Sequence, residues 1–111
     1  MPTERFEVEL TQGAEDDLRA IHGYIASNRS VDDADKLLDE FLISIETLER
    51  FPQRGSIPKE LDALGIREFR QILLRHFRLI YRVIDGKVFV LVIADGRRDM
   101  QALLERRLLG Q

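Results

Sequence analysis

The fold is decided by the stretch His76-Phe-Arg-Leu-Ile-Tyr-Arg-Val-Ile-Asp-Gly-Lys-Val-Phe-Val-Leu-Val-Ile-Ala-Asp-Gly-Arg-Arg-Asp-Met100. Two apolar runs flank the dipeptide Asp85-Gly86, which is typical of a type I′ turn because both central residues of that turn have positive φ. The stretch therefore predicts two antiparallel strands joined by a two-residue turn. Residues 88–94 are apolar on both faces, which predicts a central strand covered on both sides.

The turn fixes which residues of the two strands lie opposite each other. Three pairs are expected: Ile84 with Lys87, Arg82 with Phe89, and Arg78 with Ile93. Diagonal neighbours are also within reach of long side chains, so Arg78 is expected near Asp95. Arg97 and Arg98 follow at the same end of the hairpin, and three guanidinium groups are therefore expected close together. The alternative is that Arg78 pairs with Asp95 and Arg98 with Asp99, as surface ion pairs that contribute little stability.

Charge is distributed unevenly along the 111 residues, although the net charge is only −3. Residues 1–62 hold 7 Lys/Arg and 15 Asp/Glu, whereas residues 63–111 hold 10 Lys/Arg and 5 Asp/Glu. This division predicts a bipolar surface whose positive part attracts a polyanion or an acidic protein. The alternative is that the two halves neutralise each other within one fold.

Composition predicts a single globular domain spanning residues 1–111. The chain has no cysteine and only two isolated histidines, His22 and His76, so we expect no disulfide, no metal site and no cofactor. No apolar run reaches membrane-spanning length, and the N-terminus has no signal-peptide pattern. These features lead us to expect a cytoplasmic protein without a membrane partner.

Helical periodicity marks two segments after a short strand at residues 5–10, where polar and apolar residues alternate. Thr11 is expected to cap the first helix, whose apolar face is Ala14, Leu18, Ile21 and Ile25. A break at residues 27–30 precedes a second helix, capped by Ser30 or Asp32 and ended by Pro52. Its apolar stripe is expected to comprise Ala34, Leu37, Leu38, Phe41, Leu42, Ile45, Leu48 and Phe51.

The remaining elements complete an α+β pattern. Residues 67–74 predict a strand, which a tight link at residues 75–76 joins to the hairpin, and residues 99–109 predict a closing helix. Its apolar positions are Met100, Leu103, Leu104 and Leu108. The predicted order is β-α-α-β-β-β-α, an N-terminal αα-hairpin packed on one antiparallel sheet.

Arginine dominates the possible chemistry of the second half. The residues concerned are Arg67, Arg70, Arg75, Arg78, Arg82, Arg97 and Arg98. A planar guanidinium donates two hydrogen bonds at once and suits phosphate recognition, but it stays protonated and cannot easily act as a general base. His76 is the one nearby group able to move a proton, although a histidine in a turn is more often simply exposed to solvent.

These residues resemble the RelE/ParE superfamily of bacterial toxins from type II toxin–antitoxin systems, over nearly the whole chain. The first helix, Ala14-Glu-Asp-Asp-Leu-Arg-Ala-Ile-His-Gly-Tyr-Ile25, is similar to the ParE-type opening. Three later segments are similar to the family's sheet and its closing Gly-Arg-Arg motif: Arg67-Glu-Phe-Arg-Gln-Ile-Leu, Phe77-Arg-Leu-Ile-Tyr-Arg-Val and Val90-Leu-Val-Ile-Ala-Asp-Gly-Arg-Arg-Asp99. The order and spacing of the segments carry the resemblance.

The superfamily includes two mechanisms on one fold, so fold alone does not settle function. RelE-like members cut messenger RNA in the ribosome, and the resemblance assigns their two arginines to Arg78 and Arg98. His76, which the hairpin places near the arginine cluster, is a further catalytic candidate. Their tyrosine would fall at about Leu104, and their lysine pair near Phe69 and Gln71. This chain therefore lacks the tyrosine and the lysine pair that the resemblance associates with general acid–base catalysis.

ParE-like members are described as poisons of DNA gyrase that act by binding, and the chain resembles them more closely. The resemblance implies a cognate antitoxin, a hetero-oligomer with it, and gyrase as target. Residues expected to contact the target are Arg78, Arg97, Arg98, Met100, Leu103, Arg106 and Arg107. Residues expected to contact the antitoxin are Ile21, Tyr24, Ile25, Arg70 and Arg82. Two alternatives stay open: a RelE-like ribosome-dependent endoribonuclease, and a degenerate toxin that only binds its antitoxin.

Overall fold

A computed structural model describes residues 5–110. The elements are β1 (Glu7–Leu10), α1 (Gln12–Asn28), α2 (Val31–Glu46), α3 (Lys59–Asp62), β2 (Arg70–Leu74), β3 (Phe77–Ile84), β4 (Lys87–Asp95) and α4 (Met100–Leu108). The predicted α+β class and the order of its strands and main helices are confirmed. The structure adds α3 and a 3₁₀ turn at Thr47–Glu49 after α2. Helices α1 and α2 pack on one face of the sheet, and α4 packs on the other.

The helical hairpin begins each helix with a side-chain cap, as expected. The hydroxyl of Thr11 accepts a hydrogen bond from the backbone N–H of Ala14 at 3.3 Å. Ser30, not Asp32, caps α2, because its hydroxyl accepts from the N–H of Asp33 at 3.0 Å. Such caps satisfy backbone N–H groups that have no partner inside the helix. The caps leave only residues 29–30 between the helices, fewer than the four expected.

The sheet has the strand order β1-β4-β3-β2, which confirms that β4 is central. Strands β2, β3 and β4 pair antiparallel, but β1 pairs parallel with β4. The expectation of a wholly antiparallel sheet was therefore wrong at this edge. The chain passes through the complete αα-hairpin between β1 and the rest of the sheet, and a connection of that length permits parallel pairing.

The β3–β4 hairpin has the expected turn, because φ is 47° at Asp85 and 79° at Gly86. The pairs nearest the turn are also as expected, with Arg82 opposite Phe89. Further along, a register shift at residues 80–81 leaves Leu91 unmatched, so Arg78 lies opposite Ala94 instead of Ile93. A β-bulge of this kind inserts one residue on one strand and changes every pair beyond it.

The core has two parts, one on each face of the sheet. Beneath α1 and α2 lie the alternate β3 residues Phe77, Leu79 and Tyr81. On the opposite face Ile80 packs with residues of α3 and α4. The stripe of α2 is buried as expected over much of its length, but two of its expected members are exposed. Leu42 lies within α2, next to buried Phe41, and Phe51 lies beyond the end of the helix.

Tyr81 joins the sheet to the loop that precedes α3. Its hydroxyl donates to the carbonyl of Pro52 at 2.7 Å and accepts from the N–H of Gly55 at 3.0 Å. Burial raises the pKa of Tyr81, so the hydroxyl keeps its proton for these bonds. The loop that carries α3 is thereby fixed against the sheet. None of the helices formed by residues 5–110 combines the length and apolarity needed to cross a membrane.

Candidate functional site: a cationic cleft beside the first helix

Arg78 is held in a nearly closed side-chain cluster on the outer face of the sheet. Its Nη1 and Nη2 atoms donate to the two carboxylate oxygens of Glu60 on α3, each at 2.8 Å, and its Nε donates to Gln71 at 2.7 Å. The side chains of Arg78 and Glu60 are only 11% and 12% exposed. These hydrogen bonds lower the pKa of Glu60 and keep its carboxylate charged. The guanidinium of Arg78 is therefore occupied by side chains of the protein and is not free to bind a ligand.

The expectation that Arg78 lies near Asp95 was wrong. Strand residues alternate between the two faces, and the neighbours of Arg78 on β3, Phe77 and Leu79, both pack beneath α1 and α2. Arg78 consequently points toward α3, with its aliphatic stem so close to Gly96 that a Cβ there would lie 2.9 Å from Arg78 Cδ. The structure does not bring Arg78 together with Arg97 and Arg98.

Arg97 and Arg98 line a cleft of about 400 Å³ on the other side, between α1 and the end of β4. The remaining residues around it are Asp17, Ala20, Ile21, Tyr24, Ile25, His76, Phe77, Ile93, Ala94 and Asp95. Its floor is apolar. His76, Asp95 and the two arginines lie at the end where β4 leaves the sheet, and Asp17 lies on α1, where it accepts from the N–H of Ile93. Ile21, Tyr24 and Ile25, which the sequence predicted to contact the antitoxin, thus share one cavity with Arg97 and Arg98, which it predicted to contact the target.

Asp95 orients Arg97 at the mouth of the cleft. The carboxylate accepts from Arg97 Nε at 2.9 Å and from Nη2 at 2.6 Å, and it also accepts the backbone N–H of Arg97. These bonds hold the pKa of Asp95 well below its usual range and raise the pKa of Arg97. His76 lies on the other side of Asp95, with Nε2 3.7 Å from the carboxylate. Asp95 therefore compensates most of the charge of Arg97.

Arg98 is exposed and differently placed. Across residues 5–110, no carboxylate lies within ion-pair distance of its guanidinium. The Arg98–Asp99 ion pair of the alternative interpretation does not form, because the Asp99 carboxylate caps α4 by accepting from the N–H of Ala102 at 3.1 Å. Arg98 is consequently the guanidinium of this cleft that is available to an incoming anion.

Comparison with known proteins identifies the family of this domain. The family model described as ParE toxin of type II toxin-antitoxin system, parDE, matches residues 8–100. The chain belongs to the ParE toxin family. Of 12 matching chains of solved structures, one is described as the chromosomal ParDE TA system from P. aeruginosa. It has a TM-score of 0.70 and 20% sequence identity, covering 83% of this chain and 97% of that chain, and thus shares the fold. No curated protein matches significantly.

In this ParE toxin domain, fewer side chains of α4 are exposed for contact with a target than the sequence predicted. Met100 and Leu103 are buried against the outer face of the sheet, which does not match their expected contact with a target. Arg107 donates to the Asp17 carboxylate at 3.0 Å through each of two nitrogens and to the Leu91 carbonyl at 3.0 Å, so it fastens α4 to α1 and β4. Arg106 is exposed. The i, i+3, i+4 spacing of the apolar residues of α4 already indicated a packed face.

The residues expected to contact an antitoxin fall into two groups in the ParE toxin domain. Tyr24 is 67% exposed on α1, and Ile21 and Ile25 are half-buried beside it at the cleft. Arg70 instead donates to the Gly55 carbonyl at 2.7 Å and supports the loop before α3. Arg82 pairs with Glu68 at 3.3 Å and lies over the ring of Phe69.

Several ion pairs join carboxylates of the acidic first half of the chain to arginines of the basic second half. Examples are Arg75 with Glu40, Arg78 with Glu60 and Arg107 with Asp17. The halves therefore neutralise each other at these points, as the alternative interpretation of the sequence held. Arg98 lies outside this set.

Proposed function

We propose that this ParE-family chain inhibits DNA gyrase by binding and is neutralised by a cognate antitoxin. The observation that carries the proposal is the match to the ParE toxin model over residues 8–100. The described relative from P. aeruginosa is itself named as part of a ParDE system. An antitoxin partner follows from that class of system, and gyrase follows from the resemblance to ParE-like members.

The arrangement of side chains supports binding in preference to RNA cleavage. Leu104, at the position where nuclease relatives carry a tyrosine, is fully buried. Arg78 is occupied by Glu60 on the opposite face of the sheet from Arg98. A ribonuclease needs both a general base and a general acid beside the scissile phosphate. His76 in the cleft can act as one of the two, whereas Arg98 supplies only hydrogen bonds and positive charge. This chemistry suits recognition of an acidic surface or a phosphate.

Arg98→Ala tests the proposed role of the cleft. We expect induced expression of the unmutated chain to arrest growth, with DNA damage signalling, and the purified protein to increase gyrase-dependent linear DNA from supercoiled plasmid. The variant should weaken both effects by about tenfold or more, because it removes a charge-assisted hydrogen bond at the target contact. It should remain folded, since Arg98 is exposed.

The matched control is Arg50→Ala. Arg50 is also exposed. It follows the 3₁₀ turn, where the carbonyl of Glu49 accepts a hydrogen bond from the N–H of Phe6. It therefore lies beside the start of β1, at the end of the sheet far from Arg98. It should behave as the unmutated chain. Cleavage of messenger RNA at ribosomal A sites with intact DNA would establish the nuclease alternative. Normal growth despite soluble expression would establish a domain that only binds antitoxin.

A further inference from the structure

Arg98 is presented by a short turn, residues 96–99, which joins β4 to α4. The turn begins beside the cleft, on the face of the sheet that α1 covers, and leads to Met100, which is 3% exposed in the core on the outer face. The chain therefore crosses the end of the sheet within this short segment. The position of the Arg98 guanidinium in the cleft depends on what holds the crossing in place.

Backbone hydrogen bonds fix the start of the turn. The N–H of Gly96 donates to the carbonyl of His76 at 2.8 Å, and the N–H of Arg98 donates to the carbonyl of Asp95 at 3.1 Å. These bonds attach the turn to the backbone at the ends of β3 and β4. Support from the outer face, which α3 and α4 cover, requires a side chain that packs beneath the turn.

The aliphatic stem of Arg78 is the side chain beneath the turn. A Cβ on Gly96 would lie 2.9 Å from Arg78 Cδ, 3.0 Å from Arg78 Cγ and 3.2 Å from the carbonyl oxygen of His76. The φ of Gly96 is outside the left-handed region, so backbone conformation does not require glycine there. Glycine is required at this position because the backbone packs directly on the Arg78 stem.

The stem is itself held at both ends. Its Cα belongs to β3, and its guanidinium donates to Glu60 through Nη1 and Nη2 at 2.8 Å and to Gln71 through Nε at 2.7 Å. The backbone N–H of Gln71 in turn donates to the carbonyl of Ser56 at 2.7 Å. An exposed arginine could swing aside for a Cβ on Gly96, whereas this one would first break a bidentate pair whose side chains are 11% and 12% exposed. The turn therefore packs on a fixed support.

We infer that Arg78 is a positioning residue for Arg98, because its anchored stem supports the turn of residues 96–99 and thereby sets where the Arg98 guanidinium lies in the cleft. The inference rests on the proposed function, in which Arg98 contacts the target. Arg78 occupies a position that the superfamily resemblance assigns to a catalytic arginine, yet here it acts from the opposite face of the sheet without touching a ligand. Loss of the Arg78 stem should consequently weaken target binding through Arg98.

Fast motion of the turn tests this support without any partner protein. The ¹⁵N–{¹H} nuclear Overhauser effect of the Arg97 and Arg98 amides should fall in Gly96→Ala, since the added methyl group displaces the turn from the Arg78 stem. An alanine normally restricts the backbone relative to glycine, so the expected sign is specific to the clash. The matched control is Gly23→Ala, which adds a methyl group to α1 with nothing within 4 Å and should leave the turn amides unchanged. An unchanged or higher value for Arg98 in Gly96→Ala would overturn the inference.

The same substitution in a host without the stem shows whether the clash is with Arg78. The host carries Arg78→Ala together with Glu60→Gln, because the second change avoids a buried carboxylate without a partner. The host should already have a more mobile turn, and Gly96→Ala should add little to that motion, since only the approach to the His76 carbonyl at 3.2 Å remains. Equal effects of Gly96→Ala in the two hosts would contradict the inference. The comparison within the unmutated chain decides alone where circular dichroism shows that the host is unfolded.

The gyrase assay tests whether Arg78 acts through Arg98. The host without the stem should trap gyrase about tenfold less effectively than the unmutated chain, which is the loss expected for Arg98→Ala. Arg78→Lys keeps Cγ and Cδ beneath Gly96 and one ion pair with Glu60, so it should stay within about threefold of the unmutated chain. Arg98→Ala added to the host should cause no further loss, because a residue that acts only through Arg98 has no effect once Arg98 is removed. Additive losses, or a loss in Arg78→Lys as large as in the host, would refute the positioning role.

The two proposals fail separately. A protein that traps gyrase, but whose turn amides are as rigid in Gly96→Ala as in Gly23→Ala, retains the proposed function and refutes the positioning role. A protein that leaves gyrase unaffected refutes gyrase as the target, and the motion of the turn still decides whether Arg78 positions Arg98.

Discussion

Arg78 and Arg98 both occupy positions that the superfamily resemblance assigns to catalytic arginines, yet their surroundings in the structure are opposite. Arg78 donates to Glu60 and Gln71 in a cluster nearly closed to solvent. Arg98 is exposed, without an ion-pair partner among residues 5–110. Two residues of the same type therefore differ in whether a ligand can reach them. The difference is set by the face of the sheet on which each guanidinium lies and by the side chains that surround it.

The largest effect on stability is expected in the cluster of Arg78, Glu60 and Gln71. Glu60→Ala leaves a largely buried guanidinium without its carboxylate, and we expect the free energy of unfolding to fall by about 3–5 kcal/mol. Urea unfolding followed by circular dichroism measures this change. The matched control is Asp62→Ala, two residues along on α3, where the ion pair with Arg67 is exposed and its loss should change stability little.

Arg98→Ala provides the other half of that comparison. It should leave the unfolding curve nearly unchanged, although we expect it to weaken binding to the proposed target. A loss of stability as large as that of Glu60→Ala would show that Arg98 has a structural partner. A negligible effect of Glu60→Ala would show that the Arg78 cluster opens readily.

Acidification should affect the same cluster through the proton on Glu60. Arg78 lowers the pKa of Glu60 in the folded protein, so its stabilising contribution is complete above about pH 4.5, the ordinary value of the group, and is lost as pH falls through the lower folded value. The unmutated protein should therefore lose more unfolding free energy between about pH 5 and about pH 3 than Glu60→Gln does. Parallel slopes for the two proteins would contradict the coupling.

The smallest effect requires no mutation and compares three arginines directly. In ¹⁵N spectra near neutral pH, the Nε–H signal of Arg78 should exchange slowly with water because its acceptor is half-buried Gln71. The signal of Arg97 should exchange faster and should move when salt is raised to about 1 M, since screening reaches exposed pairs such as Arg97–Asp95. Arg98 should exchange fastest. Equal exchange at Arg78 and Arg98 would remove the distinction between the two sites.

Much of the fold could be predicted because its signals are local. The Asp85-Gly86 turn, the Thr11 cap and the apolar faces of α1 and α2 all follow from residues within a few positions of each other. The parallel pairing of β1 and the bulge opposite residues 80–81 could not be predicted in the same way. Both depend on how distant segments approach each other.

The candidate site, too, has features that the sequence predicted and features that it could not predict. The sequence by itself determined that arginines gather around the hairpin, that α1 presents Tyr24 beside an apolar face, and that no aromatic residue follows Phe89. Only the tertiary structure decided that Glu60, 18 residues from Arg78 along the chain, closes over that guanidinium, while Arg98 remains available beside α1. The physical reason is that spacing along the chain fixes backbone conformation and strand periodicity, whereas the partner of a charged side chain is set by whichever distant element packs against it.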